Sequence, residues 1–141
     1  MRMIEQEIIT AIRNQQDFTT KIVQDMHRKK EGRRDVLQWN DYGTCTLKLW
    51  GHPVAVCDTV SKILSVCDWG YPTSTTKSRI NAVFAALDIP MSCSIRNKKM
   101  IYFLNGKEIE HRAILTAGEW HVKIRLSSGG TQIGWENIYN C

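Results

Sequence analysis

Residues 44–57 read TCTLKLWGHPVAVC, and this stretch decides the class of fold. From Cys45 to Leu49 every second residue is apolar, which is the period of a strand with one buried face. Residues 51–53, Gly-His-Pro, break the pattern and turn the chain into a second apolar run at 54–57. The stretch therefore predicts two adjacent strands joined by a short turn.

Outward from this hairpin, the pattern predicts more strands and one helix. The strands are expected at residues 63–67, 91–95, 100–104 and 120–126. The segment from Pro72 to Asp88 has the apolar spacing of a helix face, and Asn105-Gly106 is a hairpin turn. Because the connections look too short for parallel crossovers, the sequence predicts an α+β fold with an antiparallel sheet, one central helix and an N-terminal helical arm.

The N-terminal part has helical spacing over residues 3–31, and Asp17 is placed to cap a second helix within it. We therefore predict one domain over residues 1–141, with a helical arm at 1–34 followed by sheet and helix at 39–141. Such an arm packs either against its own copy in an oligomer or on the domain's own sheet. The sequence leaves both arrangements open.

A basic run, HRKKEGRR at residues 27–34, lies at the end of this arm in a chain of net charge +5. One interpretation is a helix C-terminus that collects cations because the macrodipole favours them there, with Gly32 ending the helix. The other is a nucleic-acid contact. No aromatic residue is interleaved for base stacking, which favours the first interpretation.

Composition indicates an ordinary globular protein of 141 residues, 43% of them apolar. No apolar stretch has the length of a membrane span or of a signal-peptide core, so neither is expected. The five cysteines form no CxxC pair. We therefore expect free thiols in a reducing cytosol, with no zinc site.

The strongest functional signal is WGYPTSTTKSRIN, residues 69–81. Its hydroxyl side chains cluster where the first backbone N–H groups of the helix lack partners, although one hydroxyl suffices as a cap. Lys77 and Arg79 follow in the first turns, where the helix dipole disfavours each cation by about 0.3–1 kcal/mol. A bound anion would reverse that penalty, so the pattern predicts a phosphate-like ligand.

The predicted ligand-binding residues are Trp69, Tyr71, Thr75, Thr76, Lys77, Arg79 and Asn81, with Lys123 and Arg125 as further phosphate contacts. The rings of Trp69 and Tyr71 offer faces for base stacking, worth about 1–3 kcal/mol per base. The Asn81 amide suits a base edge or a ribose. The alternative is that the two rings anchor the core, the hydroxyls are solvent-facing caps, and Lys123 and Arg125 lie on a solvated strand face.

Catalytic signatures are weak. The four histidines lack metal-ligand spacing, and there is no GxSxG, P-loop or GxGxxG motif. The sequence therefore predicts a binding protein without a metal or cofactor, and not an enzyme.

The segment from Tyr71 to Asn81 has the pattern aromatic-x-T-x-T-T-x-x-R-I-N, and LWGHPVA and the predicted arm precede it. Over roughly residues 40–105 the chain resembles the phage Thoeris anti-defence sponges of the first described family. The resemblance implies small α+β subunits that assemble into symmetric oligomers. Those proteins sequester cyclic ADP-ribose isomers made by TIR-domain immune enzymes, and some also hold cyclic oligonucleotides.

By this resemblance, Tyr71 and Asn81 look like the pair that contacts the ligand. The expected function is sequestration of a cyclic nucleotide immune signal without degradation, in the cytosol of the bacterial host. A homo-oligomer with the ligand at a subunit interface would bury it fully. The alternative is a nucleic-acid-binding phage accessory protein that uses a basic patch. On the sponge interpretation, Tyr71→Ala and Asn81→Ala lose ligand and change stability by less than about 1 kcal/mol.

Overall fold

The computed structural model describes residues 2–25, 30–70, 72–110, 114–125, 127–128 and 131–132. The helices in these ranges are α1 (Met3–Arg13) and α2 (Ser74–Ala86). The strands are β1 (Phe18–Thr19), β2 (Ile22–Asp25), β3 (Lys30–Arg33), β4 (Asp35–Trp39), β5 (Thr44–Leu49), β6 (His52–Asp58), β7 (Ile63–Cys67), β8 (Met91–Arg96), β9 (Lys99–Leu104), β10 (Lys107–Ile109), β11 (Leu115–Ala117), β12 (Trp120–Arg125), β13 (Ser127–Ser128) and β14 (Thr131–Gln132). No helix in the described part of the chain has the length and apolar content that a bilayer crossing requires.

The main layer is a seven-stranded sheet in the order β1-β4-β5-β6-β7-β12-β11, and β10-β9-β8 form a second sheet. The predicted α+β class is confirmed. The expectation of purely antiparallel pairing is wrong at one place, because β7 and β12 pair in parallel, with Leu64 opposite Val122. The chain between them contains α2 and the second sheet, which give the length that a crossover needs.

The central helix is confirmed as α2, and three other elements pack against it. It contacts β6 of the large sheet, β8 of the small sheet, and α1. Its residues Ile80, Val83 and Phe84 are each no more than 1% exposed. The hairpin of β5 and β6 is also confirmed, with alternate residues of β5 buried as the sequence pattern requires.

The helix α1 packs on its own domain. Ile8 and Ile12 are buried in the common core, and Arg13 reaches the end of α2, where its Nη2 donates to the Ala85 carbonyl at 3.0 Å. A cation at this position satisfies helix-terminal carbonyls and is favoured by the dipole. Within its own chain, α1 thus packs mainly against α2 and also contacts β1.

The helical prediction is wrong beyond Arg13. Gln15 has a positive φ of 52°, and the chain then continues as the strands β1, β2 and β3. Phe18 pairs with Leu37 of β4, so it fills a strand position. Apolar residues at these spacings fit either element, and the β-branched residues of this stretch favour strands.

The interpretation of HRKKEGRR as a helix C-terminus is wrong for the same reason. Lys30–Arg33 are strand β3, paired with β2, while residues 26–29 lie outside the described residues. Among the described residues of the predicted arm, the helix is Met3–Arg13.

We expect Phe84→Ala to lower the free energy of unfolding by about 3–5 kcal/mol, because the ring leaves a cavity beneath both sheets. The measurement is urea denaturation. Tyr42→Ala is the matched control, since Tyr42 is 82% exposed, and it should leave the unfolding midpoint nearly unchanged. Equal effects of the two substitutions would contradict the central position of α2.

Candidate functional site

The predicted site lies at one edge of the large sheet. Because β7 and β12 are parallel, their carboxyl ends meet at this edge, and the antiparallel neighbours β5 and β6 place their connecting turn there too. The chain leaves β7 through Trp69 and Gly70 and enters α2 soon afterwards. A crevice beyond the carboxyl ends of parallel strands, beside a helix N-terminus, is where open α/β sheets bind ligands.

The hydroxyl cluster at the start of α2 divides into one cap and its neighbours. Thr73 is the N-cap, and its Oγ1 accepts a hydrogen bond from the Thr76 backbone N–H at 3.2 Å. The Thr76 side chain is buried, and its hydroxyl lies 3.1 Å from that of Thr73. Thr75 and Lys77 are half-buried, and the first turn contains no acidic residue. The cationic character predicted for this turn is therefore present at Lys77.

Arg79 does not take the position predicted for it. Its side chain is 1% exposed and pairs with Asp35 of β4, which is 0% exposed. Arg79 Nε donates to Asp35 Oδ1 at 2.5 Å and Nη2 donates to Oδ2 at 3.3 Å. A guanidinium held on a buried carboxylate is not free to bind an anion at the helix start, so the expectation for Arg79 is corrected.

The ion pair belongs to a larger polar network that joins α1, α2 and β4. Arg79 Nη1 donates to Ser78 Oγ at 2.9 Å, and Ser78 Oγ donates to Glu5 Oε1 at 2.6 Å. On the other side, Arg34 Nε donates to Asp35 Oδ2 at 2.8 Å. Each buried ion therefore has several partners, which a buried pair needs to offset its desolvation.

Asn81 also has a structural partner. Its Oδ1 accepts from the Cys93 N–H at 2.8 Å and its Nδ2 donates to the Cys93 carbonyl at 3.0 Å. The amide thus pairs with the backbone of β8 as a neighbouring strand would. These two bonds use one N–H and one lone pair of the amide, which has a second of each, so the predicted ligand contact of Asn81 stays a prediction.

Trp69 joins the two turns of the sheet edge. Its Nε1 donates to the Pro53 carbonyl at 2.9 Å, and its ring centroid lies 4.9 Å from that of His52. The indole is half-buried, so part of its surface remains in solvent. Tyr71, predicted beside it, lies outside the described residues.

Lys123 and Arg125 lie on the face of the large sheet opposite to α2. Their neighbours Val122 and Ile124 fill the core, and side chains alternate between faces along a strand. Arg125 is opposite Cys67, at the end of β7. Lys123 and Arg125 therefore lie near the same edge as Lys77 but on the opposite face of the sheet from Lys77.

The three cysteines described as free thiols, Cys45, Cys57 and Cys93, are buried. A hydrogen bond from Cys45, with burial, holds the pKa of the Cys57 thiol far above its usual range, and burial raises the pKa of Cys93 to about 12. Both stay protonated at neutral pH and are poor nucleophiles. Cys67 is disulfide-bonded, so the expectation of five free thiols is wrong there; spacing along the chain does not reveal such a bond.

The family model of the Kyanoviridae Gp96 protein matches residues 1–127 of the chain. The chain belongs to this phage protein family. No curated protein and no solved structure matches it significantly.

Sequence reasoning missed residues at this edge that the structure brings together. Trp50 lies in the turn between β5 and β6, His52 is the first residue of β6, and the His52 ring contacts Trp69. The sequence contained a pattern that links the two places, because Trp-Gly-x-Pro occurs both at residues 50–53 and at residues 69–72.

A surface groove of about 400 Å³ between α1 and Phe18 contains none of the predicted site residues. Within the described ranges, no group of three or more His, Cys, Asp or Glu is arranged to hold a metal.

We expect Arg79→Met to lower the free energy of unfolding by about 3–5 kcal/mol, because it leaves the Asp35 carboxylate buried without its main partner. Urea denaturation measures the loss. The matched control is Arg96→Met, since the ion pair of Arg96 with Glu108 lies at the surface and should contribute little. A loss for Arg79→Met no larger than for the control would contradict the role assigned to the pair.

Asn81→Ala should lower the free energy of unfolding by about 1–3 kcal/mol, because Cys93 is buried and both of its backbone groups lose their partner. This replaces the earlier expectation of a change below about 1 kcal/mol. Thermal unfolding measures the effect, with Gln38→Ala on the exposed side of β4 as control. An unchanged melting temperature would show that water replaces the amide without loss.

Proposed function

We propose that this phage protein binds an anionic, nucleotide-like ligand at the sheet edge where α2 begins and holds it without converting it. The observation that carries the proposal is the first turn of α2, which contains the half-buried Lys77 and no acidic residue of its own. A cation at this end of a helix is unfavourable unless an anion lies nearby. Helix N–H groups, the Thr75 hydroxyl and the Lys77 ammonium together suit phosphate oxygens.

The proposed ligand is a cyclic ADP-ribose isomer, and cyclic oligonucleotides are a second class to test. This choice follows the resemblance to the anti-defence sponges, in which tight retention replaces turnover. The half-buried Trp69 indole supplies a ring surface beside the helix start. Two of the residues carried over by the resemblance give no further support, since Tyr71 lies outside the described residues and the Asn81 amide is paired with Cys93.

The proposal includes a homo-oligomer in the cytosol of the infected host. Binding with a nanomolar dissociation constant requires a binding free energy of about −12 kcal/mol. A ligand bound at an uncovered end of the sheet would keep much of its surface in water. A second subunit covering the edge would remove that water and strengthen each charged contact. We therefore place the ligand at a subunit interface in this proposal.

Nucleic-acid binding is the second candidate, and a different surface favours it. Lys48 and Lys123 are half-buried on the face of the large sheet opposite to α2. Lysine side chains of this kind can contact a phosphate backbone. Binding of an oligonucleotide that weakens steeply with salt, and that is unaffected by changes at Lys77, would identify this function in place of the first.

The test is native mass spectrometry of the full chain with cyclic ADP-ribose isomers and cyclic oligonucleotides, which reports ligand mass and subunit number together. We expect a ligand-bound species whose ligand is recovered intact after heat denaturation. Lys77→Glu should abolish it while raising the melting temperature slightly, because an acid suits the positive end of the helix. Lys107→Glu, on exposed β10, is the matched control and should bind normally.

Three outcomes would contradict the proposal. They are the absence of any bound species for the wild-type chain, normal ligand retention by Lys77→Glu, and recovery of a cleaved ligand. The last of these would indicate an enzyme that acts on the signal.

A further inference from the structure

The outermost strand on one side of the large sheet is β1, and it has a neighbouring strand on one side only. β1 pairs with β4 and is the first strand in the order of the sheet. The chain continues from β1 into β2 without a change of register, because Phe18 is opposite Leu37 and Ile22 is opposite Arg33. In the described part of the chain, no strand pairs with the outer side of β1. The segment 17–22 is therefore a sheet edge to which a further strand can be added.

One hydrogen bond of this edge shows which backbone groups point outward. The Thr20 N–H donates to the Asp35 carbonyl of β4 at 3.0 Å. Because the backbone groups of successive residues point to opposite sides of a strand, the N–H and C=O of Thr19 and Lys21 point away from β4. The side chains of Thr19 and Lys21 are also exposed. Both residues therefore offer a donor and an acceptor to an added strand.

The charges of this edge are self-complementary. When two copies pair antiparallel about a two-fold axis at Thr19, the two Thr19 residues exchange their outward backbone hydrogen bonds. In this register, Asp17 of each copy lies opposite Lys21 of the other, and opposite charges in directly opposing positions stabilise a strand pair. A register centred on Asp17 or on Lys21 would instead place like charges opposite each other. An interface between two identical copies requires such a self-complementary surface.

The same register brings an exposed apolar side chain to the groove beside α1. Ile22 is 59% exposed and lies on the same face of its strand as Phe18. In the paired edges it is opposite Gln16 of the other copy. Gln16 lines the groove of about 400 Å³, whose apolar walls include Met3 and Phe18, and Met3 is itself 78% exposed. Pairing about Thr19 therefore covers apolar surface that a monomer leaves in water, once on each side of the axis.

The two charged side chains are available for this contact. Lys21 belongs to no ion pair among the described residues. Asp17 uses Oδ1 to accept the Trp39 N–H at 2.8 Å, and a carboxylate has further acceptor sites. The groove beside Asp17 is lined by a second acid, Glu7, and by no lysine or arginine. A cation from a second copy therefore meets a locally acidic surface.

We propose that the edge formed by residues 17–22 pairs with the same edge of a second copy, so that two large sheets continue into each other across a two-fold axis at Thr19. A charged side chain on an edge strand usually prevents strand addition, and Lys21 does so for strands without a matching acid. Asp17 supplies that acid in a second copy of this chain. The inference goes beyond the proposed function, because it involves none of the residues assigned to the ligand.

The test is sedimentation velocity of the full chain without ligand over a range of protein concentrations. We expect the wild type to form a dimer. Thr19→Pro removes the outward N–H of Thr19, and an edge strand tolerates proline where the N–H faces solvent. We therefore expect Thr19→Pro to be a folded monomer, with circular dichroism as the check on folding.

Charge reversal tests the register. Lys21→Glu should raise the dissociation constant of the dimer by about tenfold or more, because two attractive pairs become two repulsive ones. The double variant Asp17→Lys with Lys21→Glu exchanges the two charges and should restore most of the affinity. Lys107→Glu makes the same charge change on the exposed edge strand β10. It is the matched control and should dimerise as the wild type does.

A wild-type chain that stays monomeric at every concentration would overturn the inference, and so would a dimer that folded Thr19→Pro leaves unchanged. A double variant that dimerises no better than Lys21→Glu would overturn it as well, because the register about Thr19 requires recovery. If Thr19→Pro does not fold, the charge variants decide the question. Lys77→Glu, which tests the ligand site, should dimerise normally, so failure of the proposed function would leave this interface standing.

Discussion

The ion pair between Asp35 and Arg79 is the constraint on which the rest of the site depends. It joins β4 to α2 with both side chains excluded from water, and removing ions from water costs several kcal/mol each. The pair also fixes the rotation of α2 about its axis. With Arg79 directed toward β4, the Asn81 amide faces β8 and pairs with Cys93, whose Sγ also donates to the Lys77 carbonyl.

This rotation explains which residues of the motif at residues 69–81 have partners within the protein. Arg79 and Asn81 connect α2 to the two sheets, one on each side, and Thr73 completes the helix cap. In the proposed function, the ligand contacts the half-buried first turn with Lys77. The connecting residues hold that turn rigid, and rigid donors lose less entropy when a ligand binds.

Features with strong local periodicity were predictable from sequence, namely the hairpin of β5 and β6, the helix α2 and the Asn105-Gly106 turn. Residues 15–25 were not, because the spacing of Phe18 and Ile22 fits a helix face as well as a strand. The partner of Arg79 lies 44 positions away, and the partner of Asn81 is a backbone segment in another element. No local sequence pattern indicates either contact, so the sequence alone did not show that the Arg79 guanidinium and the Asn81 amide have partners within the protein.

The parallel pairing of β7 with β12 has a consequence for how the molecule forms. Residues 63–67 can complete the middle of the sheet only when residues 121–125 arrive, and such sequence-distant pairing slows folding. During synthesis, the backbone groups of β7 that pair with β12 therefore stay unpaired while α2 and the second sheet are being made. An unpaired strand readily pairs with a strand of another chain. Chains being synthesised on the same messenger RNA can therefore pair wrongly through β7 until β12 has paired with it.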